Sequence, residues 1–335
     1  EKAEVHLFTP WKPELEKSLD ARVKFQPTLP LSLPGEKRRN LFRQINPLSH
    51  LRNARLIRKA GLDVVHFVTA HPSNSLLIPL LGNRLICFTQ HDPSCHLGEG
   101  SSLRDYLNRR TARLSHRIVA HGQALKDALS QKLPPERIEV IPHGDYGFFK
   151  RFAKGEPSEE TILFFGRFIP YKGIDVLCKA ERLLRKRLDS YEICIAGEGE
   201  VSFDSWIDPE SRIRVINRFL PDEEVAQLFQ QARMVVLPYL EASQSGVLAI
   251  AFAFGKPSIV SEVGGLPEAV DFGKAGLIIP ANDPEALADA IERLWRQPEL
   301  RKRIGEGGRD LVEKTIGWPL IAERHIEMYR QLVAD

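Results

Sequence analysis

From residue 161 onward the chain alternates short, almost unbroken apolar runs with longer stretches whose apolar residues recur every three or four positions. The runs are TILFFG (161–166), YEICIAG (191–197), IRVIN (213–217), MVVLPY (234–239), PSIVS (257–261) and GLIIP (276–280). A strand that is apolar at nearly every position is covered on both faces, and helices between such strands supply the cover. The pattern therefore predicts βαβ units and a parallel sheet. The segment DPEALADAIERLWRQ (283–297) shows a helix start in full: Asp283 as cap, Pro284 in the first turn, and Ala286, Leu287, Ala290, Ile291 and Leu294 on one face.

The first half repeats this grammar with EVHLFT (4–9), DVVHFVT (63–69), RLICFTQ (84–90), RIVAHG (117–122) and IEVIPHG (138–144). We expect an α/β protein of two doubly wound, Rossmann-like domains facing a cleft, the first over residues 1–150 and the second over 151–317. The charged, Gly- and Pro-containing KRFAKGEPSEE (150–160) reads as the linker between them. The last amphipathic run, WPLIAERHIEMYRQLV (318–333), would cap the second domain or cross back onto the first within a final segment 318–335. A nucleotide-binding half normally opens with a strand and a tight glycine turn into a helix. Here the first glycine is Gly35, so that opening strand-loop-helix unit is expected to be absent.

Composition narrows the picture. A chain of 335 residues exceeds the usual size of one core, and 27% charged residues suit a globular protein. No apolar run reaches the roughly 18 to 20 residues a membrane span needs, and no basic-then-apolar leader opens the chain, which gives a cytoplasmic expectation. Cys87, Cys95, Cys178 and Cys194 include no Cys-x-x-Cys pair and read as reduced structural thiols, with no metal site. Charge is uneven: residues 1–150 hold 23 Lys and Arg against 14 Asp and Glu, the remainder 24 against 30. The basic residues concentrate in EKRRNLFRQINPLSHLRNARLIRK (36–59) and RDYLNRRTARLSHR (104–117). They read either as solvated helix faces or as a patch for an anionic lipid or anionic acceptor, placing the protein peripherally at the inner membrane face. Nucleic acid is disfavoured, because no regular interleaving of aromatics with the cations and no reading helix stand out.

Ligands of open parallel sheets bind beyond the carboxyl ends of the strands. In the second half those positions are Gly166 and Arg167 with Lys172 just beyond, Gly197-Glu198-Gly199, Phe219-Leu220, Glu241 to Gly246, and Gly264-Gly265. Arg167 and Lys172 supply two cations from one loop, which suits a diphosphate. Gly246 and Val247 open a helix whose N-terminus favours an anion. Ser243, Gln244 and Ser245 offer hydroxyl and amide groups beside it. Each feature alone has a plainer explanation: a turn glycine, a helix cap, a solvated cation. Their convergence on one sheet edge favours the site. In the first half the strand ends carry His71, His91-Asp92, His121 and His143, with His91 beside Asp92 the best polar candidate to hold a substrate. His66, inside a strand, reads as structural.

The stretches FFGRFIPYKGIDVLCKA, ICIAGEGE, INRFLPDEEVAQLFQQARMVVLPY, AFAFGKPSIVSEVGGLPEAV, GLIIPANDPEALADAIERL and IAERHIEMYRQLV, in order, resemble the C-terminal half of the retaining GT-B glycosyltransferases of family 4. GLDVVHF, FTQHD, RLSHRIVAHGQALKDAL and IEVIPHGDYGFF resemble the acceptor domain of that family, and EVHLFTP resembles its second strand. The resemblance implies a GT-B fold and a hexosyltransferase of polysaccharide or glycolipid biosynthesis that moves a sugar from a nucleotide-diphosphate donor to a hydroxyl acceptor, lipid-linked or anionic, with retention and without metal or other cofactor. It assigns Arg167 and Lys172 to the diphosphate, Gly166 and Gly197-Glu198-Gly199 to the nucleotide, the backbone at Phe219 and Leu220 to the base, and His91 to the transferred sugar. A UDP donor is the expectation from commonness. The chain departs from the family where two glutamates eight positions apart are usual: Ala242 and Ile250 stand there, and Glu241 would replace the first by a one-residue shift. That departure keeps two other readings open, a GT-B-shaped binding or partner subunit and a sugar-nucleotide hydrolase or epimerase.

Overall fold

Twelve strands in three parallel sheets make up the described part of the protein. The structure is a computed structural model that describes residues 3–10, 20–28, 47–69, 71, 73–92, 102–155, 161–203 and 205–335. The first half holds β1 (His6–Pro10), β2 (Lys24–Thr28), β3 (Val64–Phe67), β4 (Leu85–Gln90), β5 (Arg117–Ala120) and β6 (Ile138–Val140). The second half holds β7 (Thr161–Phe165), β8 (Glu192–Gly197), β9 (Ile213–Asn217), β10 (Ala232–Leu237), β11 (Ser258–Ser261) and β12 (Gly276–Ile279). Every apolar run named above became a strand. β2 was not foreseen: KFQPT carries a proline and too few apolar positions to show period two. It pairs in parallel with β1 as a two-stranded sheet of their own.

The larger sheets run β3-β4-β5-β6 and β12-β11-β10-β7-β8-β9, every pairing parallel. Eleven α-helices are described. The first half holds α1 (Pro47–Lys59), α2 (Asn74–Leu77), α3 (Ser102–Leu114) and α4 (Gln123–Ser130). The second half holds α5 (Ile174–Leu184), α6 (Asp222–Gln231), α7 (Gly246–Ala253), α8 (Leu266–Ala269), α9 (Pro284–Arg296), α10 (Pro298–Leu311) and α11 (Trp318–Ala334). Asp283 caps α9 through Oδ1, which accepts the Ala286 N–H at 2.9 Å.

The sheet residues Ile162, Leu163, Phe164, Ile193, Cys194, Ile195, Val235 and Val236 are buried, with helices covering both faces, so their apolar runs need no alternation. The last helix, α11, lies on the first half: Ile321, Met328 and Leu332 pack against Cys87, Val119 and Ile141. His66 is structural as expected. Its Nδ1 meets the Tyr329 hydroxyl at 2.5 Å and its Nε2 meets Thr89 Oγ1 at 2.8 Å, and burial pulls its pKa down to about 3. Cys87, Cys178 and Cys194 are free buried thiols; burial pushes Cys87 and Cys178 up to about 12. Cys95, residues 36–46 of the first basic stretch and residues 156–160 of the linker lie outside the described residues. Among the described residues no helix is long and apolar enough to cross a membrane.

Candidate functional site at the switch point of the second sheet

In the order β12-β11-β10-β7-β8-β9 the chain moves outward from β7 through β9, then returns to the other side of β7 as β10. The crevice between the carboxyl ends of β7 and β10 is thus the topological switch point, where an open parallel sheet takes its ligand. Arg167 follows β7 directly, and Glu241 to Ser245 follow β10.

The loops at this edge are fastened to one another in strand order. The Gly166 N–H donates to Ala196 O at 3.0 Å and the Phe168 N–H to Glu198 O at 2.8 Å, joining the loops after β7 and β8. The side chain of Asn217 accepts from the Gly199 N–H and donates to Gly199 O, both at 3.1 Å, bringing in β9. The Leu240 N–H donates to Tyr171 O at 2.7 Å, which ties the Lys172 turn to the loop after β10. Two glycines are required by contact. At Gly197 (φ +152°) a Cβ would stand 1.8 Å from Gly166 O, and at Gly264 (φ +49°) 1.5 Å from Ala242 O. The glycines foreseen here as ligand contacts thus also serve close backbone packing.

Lys172 is half-buried, and its ammonium sits 3.7 Å from the centre of the Tyr239 ring and 5.1 Å from that of Tyr171. Two electron-rich faces hold the cation at the crevice. Arg167 and Glu198 are exposed, Phe219 is 75% exposed, and Leu220 is buried beneath it. Glu241, Ser243, Gln244, Ser245, Gly246 and Val247 are all half-buried around the start of α7. Ser245 occupies the cap position of α7 with extended backbone, yet its side chain makes no capping bond. The buried Tyr239 hydroxyl lies against the Ser245 side chain instead, and Gln244 Oε1 is buried without a hydrogen-bond partner. Leaving a buried polar atom unpaired costs about 1 to 3 kcal/mol, so the Gln244 amide oxygen at the mouth of α7 is available to a polar donor. Ile250, in contrast, is buried in the core, so the second position of the usual carboxylate pair faces apolar packing.

Across the chain, His91, His121 and His143 follow the adjacent strands β4, β5 and β6. Their rings form a row, with centroids 4.9 Å apart for His91 and His121 and 5.1 Å apart for His121 and His143. Each ring has one nitrogen on a backbone carbonyl: His91 Nε2 on Val68 O at 2.9 Å, His121 Nδ1 on Ile141 O at 3.0 Å, His143 Nδ1 on Gly144 O at 2.8 Å. A carbonyl only accepts, so those nitrogens carry the proton. In a neutral ring the opposite nitrogen is an acceptor, which for His121 and His143 suits hydroxyl donors. Burial lowers His143 and brings His121 down to about 4, keeping both neutral near pH 7, and His121 Nε2 is buried with no partner. His71 does not join the row. Its Nδ1 accepts from Ser73, at 2.5 Å from Oγ and 3.2 Å from N. Asp92 is half-buried, and its carbonyl accepts from Gln90 Nε2 at 3.0 Å.

Sequence reasoning missed the groups that join the two edges. Tyr146 stacks on His143, centroids 5.4 Å apart at 14°, and its ring comes 3.4 Å from where a Cβ of Gly246 would stand. The row of rings therefore continues to the mouth of α7. Glu268, on α8, reaches the start of α4: its Oε1 and Oε2 accept the Gln123 N–H at 2.9 and 2.8 Å, and Oε2 lies 3.3 Å from the Ala124 N. Both residues stood in quoted motifs, HGDYGFF and GGLPEAV, but contacts between positions so far apart in the chain have no local signature.

Parallel sheets, a crevice at the switch point and a histidine row on the other half define a protein of the GT-B class of fold. Residues 1–144 match the family model described as Glycosyltransferase Family 4, and residues 159–297 match that described as Glycosyl transferases group 1. The chain is a family 4-like glycosyltransferase by these matches. It is 27% identical over 285 residues to the uncharacterized glycosyltransferase MJ1178 of Methanocaldococcus jannaschii, covering 82% of this chain and 78% of that protein. It is 30% identical over 237 residues to the D-inositol 3-phosphate glycosyltransferase of Paenarthrobacter aurescens, covering 65% of this chain and 58% of that protein. The chain thus spans little more than half the length of that relative. Among solved structures, the sucrose-phosphate synthase tll1590 of Thermosynechococcus elongatus superposes with a TM-score of 0.77 at 20% identity, covering 99% of this chain and 89% of that one. Alr3699/HepE of Anabaena, solved in complex with UDP, gives 0.71 at 15% identity, covering 98% and 92%. Both fold as GT-B, as this chain does.

Proposed function

We propose that the protein transfers a sugar from a nucleotide-diphosphate donor to a hydroxyl acceptor, with retention at the anomeric carbon and without a metal cofactor. The observation that carries this reading is the convergence at the β7/β10 switch point of Arg167, Lys172 and the N-terminus of α7, with the buried Gln244 Oε1 beside them. Two cations and a helix start stabilise the charge that develops on a departing diphosphate, in a crevice whose loops are already fixed. The histidine row faces the crevice as an array of hydrogen-bond acceptors for sugar or acceptor hydroxyls. Gly166, Gly197 to Gly199 and the backbone at Phe219 and Leu220 line the nucleotide side, and Glu241 stands nearest the carboxylate position that Ala242 leaves empty of charge. UDP is the donor nucleotide we favour, in keeping with the UDP complex of the Anabaena protein.

Release of nucleoside diphosphate from a panel of nucleotide sugars, with and without polyol acceptors, tests the proposal. Turnover that Arg167→Ala abolishes while the fold is retained supports it. Wild-type rates in that variant remove Arg167 from the mechanism, and conversion of donor without any acceptor points to hydrolysis or epimerisation. The burial of Ile250 favours a second reading, a GT-B-shaped binding subunit with little transfer, because no charged side chain there can reach a ribose. Donor binding without turnover under any acceptor is what that reading expects.

A further inference from the structure

Helices α1, α2 and α3 pack side by side, α2 against each of the others. On α1 the residues that face solvent are Leu48, Leu51, Arg52, Arg55, Arg58 and Lys59, a single stripe at helical spacing. Leu48 is 75% exposed and Leu51 49%, and no acidic residue occurs anywhere on α1. The stripe on α3 repeats the pattern: Tyr106, 53% exposed, is followed by exposed Arg109, Arg110 and Arg113. Leu76 on α2 is exposed between them.

Topology orders these residues. A helix that crosses between parallel strands runs antiparallel to them, so it begins at the carboxyl edge of the sheet. Leu48 and Leu51 in the first turns of α1, Leu76 just beyond β3, and Tyr106 early in α3 therefore lie toward the edge that carries the histidine row. The cations extend from there along both helices. Solvated helix faces normally mix both signs and keep leucine inside; this one presents apolar tips and seven cations against one acidic residue, the half-buried Asp105 of α3.

We propose that the α1–α3 face is a docking surface for an anionic lipid bilayer, with Leu48, Leu51, Leu76 and Tyr106 entering the headgroup boundary and the arginines pairing with lipid phosphates. Shallow insertion of apolar side chains together with electrostatic attraction is how amphipathic helices bind interfaces. Exposed leucines argue for a bilayer over a nucleic acid, which calls for cations and stacking aromatics. The surface stands whatever the donor site does; combined with the transferase reading, it brings the cleft edge beside lipid-linked hydroxyl groups.

Flotation of the full chain with vesicles tests the surface. Phosphatidylcholine vesicles with and without about one-third phosphatidylglycerol serve as probes at low and high salt. The wild type is expected to float only with the anionic vesicles and mostly at low salt. Arg52→Glu with Arg55→Glu should weaken partitioning by more than roughly 25-fold, about five-fold for each cation lost and more for reversal. Leu48→Ser with Leu51→Ser should remove the fraction that survives high salt. Lys302→Glu with Arg303→Glu, exposed on α10, is the control and should float as the wild type does. All these sites are exposed, and matching circular dichroism melts confirm the fold. Three results overturn the proposal: no flotation at low salt, equal loss in the α10 control, or binding to an oligonucleotide duplex that the leucine substitutions leave unchanged while vesicles are ignored.

Discussion

Replacing Gly264 by alanine probes the packing that holds the SQSGV loop against the crevice. Two costs combine. The residue has φ +49°, where a side chain costs about 1 to 2 kcal/mol, and its new Cβ would lie 1.5 Å from Ala242 O, less than half of van der Waals separation. Since the obstacle is backbone, Ala242 and Ser243 must retreat, and overpacking of that kind adds about 1 to 3 kcal/mol. The total loss is about 2 to 5 kcal/mol. Gly61→Ala isolates the first cost, because Gly61 has φ +66° and nothing within 4 Å of its added Cβ. It should lose only about 1 to 2 kcal/mol. Urea denaturation gives both numbers, and calorimetric titration with UDP gives the functional consequence. Displacing Ser243 to Ser245 should weaken UDP at least ten-fold in Gly264→Ala and leave Gly61→Ala unchanged. Equal stability losses and equal affinities in the two variants would refute the claim that this backbone contact shapes the site.

Other expectations follow from single groups. Lys172→Ala should weaken nucleotide-diphosphate binding roughly ten- to a hundred-fold, the worth of a charge-assisted contact of about 1.5 to 3 kcal/mol, read by titration. Glu268→Ala strips the start of α4 of its acceptor and should destabilise by about 0.5 to 2 kcal/mol in urea, with Glu268→Gln recovering part; no change in either variant removes the cap from the account. His66 and His121 are held neutral by burial, at about 3 and about 4 against about 6.5 when unfolded. A depressed histidine favours the fold above pH 6.5, and that contribution is lost as pH falls toward the folded value. Each should lose about 1.6 kcal/mol between pH 6.5 and 5, and His121→Gln should flatten its share of that slope. A slope identical to that of the wild type contradicts the burial argument.

The strands of both large sheets were legible because a strand covered on two faces writes an unbroken apolar run. β2 was not, since Pro27 and Gln26 interrupt its pattern while the parallel ladder to β1 still forms. The candidates after each strand were legible for the same reason: the carboxyl end of a strand can be located without knowing its neighbours. Which candidates meet depends on strand order. His91, His121 and His143 converge because β4, β5 and β6 are adjacent, whereas His71 follows the edge strand β3 and is engaged by Ser73. Likewise Arg167 and the SQSGV loop follow neighbouring strands only because β7 and β10 pair. Tyr146 and Glu268 escaped notice because their partners are supplied by the opposite half of the chain. Ser245 was placed in the candidate site rather than read as a helix cap, and its side chain makes no capping bond.

The most direct test of the central claim is calorimetric titration of the wild type, Arg167→Ala and Lys172→Ala with UDP, GDP, ADP and their sugar conjugates. The account predicts one nucleotide bound by the wild type and at least ten-fold weaker binding in each variant, all three proteins melting alike. Binding of every nucleotide with the same affinity in all three, or of none by the well-folded wild type, would contradict a donor site at the β7/β10 switch point.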